Sequence, residues 1–152
     1  MPFPPYHVHP MVVHFPIALL SAAASFEVLA ATFFRAEHER WQWAAAGMLW
    51  AGTLFAALAI ASGLWAESTA PAIPSAYDTV LWHKGLGISV GVLSAVLSLW
   101  RFMRRPPAMP CPMILYVLLW LALVTVLGIT GLYGGRLVYD FAVGVEGFTS
   151  AV

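Results

Sequence analysis

Histidines are the side chains of this sequence best suited to chemistry, and three of the five lie close together. Residues 7–16 read His-Val-His-Pro-Met-Val-Val-His-Phe-Pro, which places His7, His9 and His14 within eight residues. Imidazole suits several transition metals as a ligand and is the side chain that most often changes charge near neutral pH. Only 9% of the residues are charged, so these histidines are the first candidates for a functional site.

His14 and His83 are predicted to lie at one level of the folded chain. His14 follows Pro10 by four residues and His83 follows Asp78 by five, and both reference residues are expected to mark helix starts. At about 1.5 Å per residue, both histidines would lie about one and a half turns inside parallel helices. Two neutral imidazoles that project into a helical bundle suit the axial positions of a b-type haem. We therefore expect His14 and His83 to bind haem b, as one haem or two.

Other residues on the same side are candidates for supporting roles. His9, at the expected helix boundary, could ligate a second cofactor, hydrogen-bond a haem propionate or cap the helix. Arg136 is a candidate cofactor-binding residue because a guanidinium binds carboxylates bidentately, and Lys84 is a second cation. The structural alternatives are an ion pair between Arg136 and Asp140, or a Lys84 side chain that extends towards water. His7 lies in an irregular lead-in and is the weakest candidate.

Glu27 is the only acidic residue inside an apolar run, where a carboxyl group is costly and is a functional candidate by default. Thr53 and Ser94 are expected at a similar depth. Glu27 could carry protons, but no second acidic residue or histidine continues a relay. We therefore favour a structural, hydrogen-bonded carboxyl group.

Composition indicates a membrane protein. The chain is 61% apolar with a mean hydropathy of +0.83, whereas soluble domains are about 45–50% apolar and about 25% charged. The net charge is zero, so no basic surface suggests nucleic-acid binding. The single cysteine excludes an intrachain disulfide and covalent attachment of a c-type haem. No hydrolase motif is present, so we expect a non-catalytic subunit rather than an enzyme.

Four apolar runs are long enough to cross a bilayer, which takes about 20 residues. We expect spans at about residues 10–34, 43–65, 79–102 and 113–133, followed by a short tail at 134–152. Pro16 either kinks the first helix or begins it. No internal repeat is evident. The sequence therefore predicts an all-α, integral membrane four-helix bundle in which residues 1–152 form a single transmembrane domain.

Basic residues predict the orientation of this bundle. The loops after spans one and three carry most of them, namely Arg35, Arg40, Arg101, Arg104 and Arg105. Only Lys84 and Arg136 lie towards the other side. Cytoplasmic loops are enriched in Lys and Arg, so we expect both termini on the outer, periplasmic side of a bacterial inner membrane, together with four of the five histidines.

Three motifs give the chain a family resemblance. They are His-Pro-Met-Val-Val-His-Phe-Pro-Ile-Ala-Leu at 9–19, Trp-His at 82–83, and Gly-Gly-Arg-Leu-Val-Tyr at 134–139 with Gly-Val at 144–145. With these motifs the chain resembles, over nearly its whole length, the bacterial four-helix membrane family called domain of unknown function 2231. The resemblance implies four transmembrane helices and a place near Rieske or cytochrome partners, without an established activity. Relatives often carry a histidine in the closing motif, and this chain has none at 139–145, which puts one cofactor site in doubt.

Together these features predict a membrane electron-transfer subunit that binds haem b by bis-histidine ligation near the periplasmic face. Its expected partners are the lipid membrane, other subunits of a respiratory or photosynthetic complex, and a periplasmic cytochrome or a quinone. One alternative is a cofactor-free structural subunit. A second is a pigment-binding subunit, in which one histidine ligates each pigment. A third is a small transporter or proton channel that uses Glu27.

Overall fold

The computed structural model describes residues 4–33, 37–103 and 113–145, and these residues are almost entirely helical. The helices are α1 (Val8–Val12), α2 (His14–Thr32), α3 (His38–Thr69), α4 (Tyr77–Met103) and α5 (Met113–Tyr139), with 3-10 turns at Pro5–His7 and Pro74–Ala76. With α1 and α2 taken as one stretch, four helices are long and apolar enough to span a membrane. The predicted all-α architecture of four spanning helices is confirmed.

The first span is interrupted at Val13, between α1 and α2. Pro16 has no N–H to donate to the carbonyl of Val12, so one helical hydrogen bond is missing there. The flanking bonds persist, because the Val13 N–H donates to the His9 carbonyl at 3.1 Å and the Ile17 N–H donates to the Val13 carbonyl at 3.3 Å. Pro16 thus lies in the first turn of α2, and the interruption that it causes falls at Val13, three residues before it.

The last helix is longer than expected from the sequence. It continues through the glycine pair at 134–135 and ends at Tyr139, whereas the sequence predicted an end near Tyr133. Beyond it, Ala142 has a left-handed backbone with φ of 52° and donates its N–H to the Val138 carbonyl at 3.1 Å. This is the geometry of a helix C-terminal cap. The helix is therefore nearly two turns longer than the sequence suggested.

One fully buried leucine from each spanning helix forms the centre of the bundle: Leu20, Leu49, Leu97 and Leu123. The outward faces carry many exposed large apolar side chains. Apolar patches of this extent are rare on soluble monomers and suit contact with lipid. The packing is closest between α2 and α3 and between α4 and α5, so the bundle consists of a first hairpin (α1 to α3) and a second hairpin (α4 and α5).

Candidate functional site

His9 and His83 face each other where the two hairpins meet. Their ring centroids are 6.1 Å apart and the ring planes make an angle of 79°. His9 comes from the first hairpin and His83 from the second, and both side chains are partly buried. We call these two residues the histidine pair, and the end of the bundle that contains them the histidine end.

The sequence paired His14 with His83, and the structure does not bring those two residues together. His14 is exposed on the surface of α2, and His9 takes the place beside His83. Two residues five positions apart on a helix point about 140° apart, so His9 and His14 cannot face the same neighbour. The count from Pro10 also used the wrong helix start, because α1 begins at Val8, and such a count gives no direction around the helix axis.

The ring of His9 is held by two groups on α3. Its Nδ1 lies 3.1 Å from the carbonyl oxygen of Ala59 and 3.2 Å from the Oγ of Ser62. The Ser62 hydroxyl donates its own hydrogen to the Ala59 carbonyl at 3.0 Å, so its oxygen is an acceptor towards His9. Both neighbours therefore require that His9 Nδ1 carries the hydrogen.

The ring of His83 is held in the same way by α5. Its Nδ1 lies 3.1 Å from the carbonyl oxygen of Thr130, and because a carbonyl only accepts, Nδ1 is again the donor. In a neutral imidazole the lone pair then belongs to Nε2. Histidines that ligate metals commonly donate their other N–H to a backbone carbonyl, which fixes the ring and raises its basicity. Both members of the histidine pair have this arrangement.

A glycine on the facing helix allows each imidazole to reach its carbonyl. Gly63 lies four residues after Ala59, and Gly134 lies four residues after Thr130, so each glycine sits one turn above the carbonyl that accepts the hydrogen bond. A Cβ added at Gly63 would be 3.0 Å from Cε1 of His9, and one at Gly134 would be 3.0 Å from Cε1 of His83. The two hairpins thus share one arrangement, in which a histidine donates to a carbonyl of the facing helix and a glycine four residues later leaves room for its ring. No repeat is evident in the sequence.

Two cations lie at the histidine end, and both have neighbours. The Nζ of Lys84 is 2.7 Å from a carboxylate oxygen of Glu67, which joins α4 to α3 next to His83. The guanidinium of Arg136 lies over the ring of Tyr133, 5.6 Å from its centroid. Arg136 is exposed, so its head group remains available to an anion at this end.

His7 joins the two ends of the described chain. Its Nε2 lies 3.0 Å from the carbonyl oxygen of Gly144. Because that carbonyl accepts, the His7 Nε2 is the donor. His7 therefore fastens the turn after α5 to the start of α1, and it does not belong to the histidine pair.

Glu27 lies near the opposite end of the bundle, where it joins α2 to α5. The Tyr116 hydroxyl donates to Oε1 of Glu27 at 2.8 Å. Of the adjoining spanning helices, α2 and α5 contact each other least, and this hydrogen bond joins them directly. This supports the structural interpretation of Glu27.

The other polar residues expected near Glu27 make separate contacts. The hydroxyl of Thr53 is 2.8 Å from that of Ser98 on α4. Ser94, which the sequence placed at the same depth, is fully buried and donates to the carbonyl of Gly91 on its own helix. No chain of polar groups leading from Glu27 is therefore seen among these described residues.

Tyr116→Phe is expected to destabilise the bundle by about 1 kcal/mol, because interhelical hydrogen bonds in membranes contribute on average about 0.6 kcal/mol and at most about 1.7. Glu27→Gln keeps an acceptor oxygen and should cost less. Unfolding in detergent micelles measures both. Tyr133→Phe is the matched control, since the Tyr133 hydroxyl makes no hydrogen bond among the described residues. A larger loss with Glu27→Gln than with Tyr116→Phe would contradict the structural role.

In the described part of the chain, no group of three or more His, Cys, Asp or Glu side chains is placed to hold a metal ion. Among these side chains of the described residues, a metal bound by the histidine pair would find no third ligand. A porphyrin supplies four nitrogen ligands, so two protein ligands suffice for a haem iron.

The fold and the site define a class of protein: a four-helix membrane bundle whose two hairpins meet at a histidine pair. The chain belongs to the family described as predicted membrane protein (DUF2231), whose model matches residues 5–147. No curated protein and no solved structure matches the chain. The family description names no activity, so a function has to be argued from the site.

Proposed function

We propose that this chain is a membrane electron-transfer subunit that holds a b-type haem between His9 and His83. The observation that carries the proposal is the histidine pair itself. Two imidazoles from different hairpins face each other at 6.1 Å, and each donates its Nδ1–H to a backbone carbonyl. The expected ligand His14 is replaced by His9, because His14 is exposed outside this arrangement.

The donor set of the site fits a haem. Both side chains are nitrogen donors whose Nε2 atoms carry the lone pairs, and bis-imidazole ligation is one of the means by which proteins hold haem iron. Arg136 places positive charge at the same end, which suits a propionate, whereas the charge of Lys84 is paired with Glu67. When bound, the haem would supply reversible one-electron exchange.

The protein residues have three tasks in this proposal. The carbonyls of Ala59 and Thr130 fix the tautomer and orientation of the two rings and raise their basicity as ligands. The packed apolar interior excludes water from the inner side of the pair. α3 and α5 continue for about 15 Å and 14 Å beyond these carbonyls, at 1.5 Å per residue, so the partly buried pair lies well inside the ends of both helices.

The distribution of basic residues supports an orientation for the bundle. Five of the seven lie in or next to the two segments of sequence that connect α2 to α3 and α4 to α5, namely Arg35, Arg40, Arg101, Arg104 and Arg105, and such basic segments tend to be cytoplasmic. The histidine end would then face the periplasm across a bacterial inner membrane. A periplasmic cytochrome or a membrane quinone would be within reach as an electron partner, in a respiratory or photosynthetic complex.

An absorption spectrum of the purified full-length protein tests the proposal. After expression with a sufficient haem supply, we expect a reduced-minus-oxidised spectrum of low-spin haem b and one haem per chain. Protein that stays colourless when excess haem is offered would contradict the proposal and favour a structural subunit. Chlorophyll-type absorption would contradict it in favour of a pigment-binding subunit.

A further inference from the structure

We propose that Ser62 is a positioning residue that makes His9 a stronger electron donor than His83 and thereby lowers the midpoint potential of the bound haem. This inference rests on the proposed function. It concerns an asymmetry between the two hairpins, which otherwise hold their histidines in the same way.

The asymmetry lies in the number of acceptors around each Nδ1–H. His9 has two, the Ala59 carbonyl at 3.1 Å and the Ser62 hydroxyl oxygen at 3.2 Å. Among the described residues, His83 has the Thr130 carbonyl alone. The Thr130 hydroxyl does not compensate, because it donates to the Val126 carbonyl of its own helix at 2.7 Å.

The Ser62 hydroxyl is fixed in the accepting role. Its hydrogen is directed to the Ala59 carbonyl, so only the oxygen lone pairs face His9. Two acceptors draw the Nδ1 hydrogen away from the ring more strongly than one, which raises the electron density at Nε2. A more basic axial ligand stabilises the more positively charged, oxidised iron, and hydrogen bonding around the ligands is a known means of setting haem potentials.

Redox titration of the purified, haem-loaded full-length protein tests the inference. Ser62→Ala should raise the midpoint potential while the haem-to-protein ratio stays at the wild-type value. Ser62→Thr keeps the hydroxyl and should restore the lower potential. Ser68→Ala is the matched control, because it removes a hydroxyl of the same helix that likewise donates to the carbonyl three residues before it, that of Trp65 at 2.8 Å. Ser68 is exposed and makes no hydrogen bond to either histidine among the described residues, so the potential of this variant should not change.

A second measurement needs no cofactor. In haem-free protein with 15N-labelled histidine, Ser62→Ala should shift the Nδ1 resonance of His9 and leave that of His83 unchanged. An unchanged His9 resonance overturns the inference. So does an unchanged potential in haem-loaded Ser62→Ala, and that result leaves the haem site standing. A wild-type protein without haem refutes the proposed function, and the inferred effect on potential falls with it.

Discussion

Replacing His83 or His9 by alanine should lower the haem content of the purified protein by about tenfold or more. Each residue would supply one of two axial ligands, and even the loss of a group that only orients a ligand costs about 10–100-fold in metal affinity. The haem-to-protein ratio and the low-spin spectrum measure the effect. In each single variant the other histidine keeps its hydrogen bond to its own carbonyl and remains the only histidine ligand of the pair. Any haem that stays bound would then have one imidazole ligand instead of two and should lose its low-spin signature.

His14 and His38 provide the matched controls. His14 lies five residues after His9 in the same stretch but is exposed on α2, so His14→Ala should keep its haem. His38 is a second control because its Nδ1 also donates to a carbonyl, that of Ala30 at 2.9 Å, but near the opposite end of the bundle. His38→Ala should therefore keep its haem as well. Loss of haem in His14→Ala together with retention in His9→Ala would restore the pairing expected from the sequence and refute the present one.

The four spanning helices could be predicted from sequence because membrane helices are specified locally. Each apolar run is long enough to cross a bilayer on its own, and no long-range contact is needed to recognise it. The helix ends were predicted less closely, since α3 ends at Thr69 rather than near residue 65 and α5 ends at Tyr139 rather than near residue 133. The family resemblance of the chain agrees with the matched model over residues 5–147.

The partner of His83 could not be predicted because it depends on direction around a helix axis. At 1.5 Å per residue, His14 lies about 7.5 Å further along the first span than His9, so the contact of His9 with His83 places His14 at a different level. The choice between His9 and His14 also requires knowing which side of the first span faces α3 and α4. The interruption at Val13 separates the two histidines further, since it places His9 on α1 and His14 on α2. Pro16 signals such an interruption, but not the direction in which α1 then points.

Ser62 and Gly63 were missed for a related reason. In the sequence they belong to a run of small residues that indicates close helix packing, and nothing local marks them as neighbours of His9. The signal is the spacing between a glycine and the carbonyl four residues before it. That spacing indicates a histidine-binding position only when a histidine of another helix is known to lie opposite the glycine. His9 lies opposite Gly63 and His83 lies opposite Gly134.

Gly134→Ala and Gly63→Ala should each reduce haem affinity by about tenfold or more, the range found when a group that orients a metal ligand is lost. The new Cβ would be 3.0 Å from the imidazole, which is too close for a packed ring to tolerate without moving. Moving away from Gly134 would lengthen the hydrogen bond from His83 to Thr130, now 3.1 Å. Haem titration of the purified variants measures the affinity.

Other glycines of the same helices separate this effect from a general intolerance of alanine. A Cβ at Gly131 on α5 or at Gly47 on α3 would meet nothing within 4 Å. Alanine is favoured over glycine inside a helix by about 1 kcal/mol, so Gly131→Ala and Gly47→Ala should bind haem normally and be no less stable than the wild type. Equal haem affinity in Gly134→Ala and Gly131→Ala would refute the role assigned to Gly134.

A double variant shows whether Gly134 acts through His83. In the haem-free protein, Gly134→Ala has two opposing effects on the free energy of unfolding. Weakening the hydrogen bond from His83 to Thr130 lowers it by about 0.6–1.7 kcal/mol, and the higher helix propensity of alanine raises it by about 1 kcal/mol. When His83 is already alanine, no ring remains for the new Cβ to displace, and only the gain is left. Gly134→Ala should therefore raise the unfolding temperature in the His83→Ala background by more than in the wild type. Additive effects of the two substitutions would mean that Gly134 serves helix packing alone, because independent sites add and coupled ones do not.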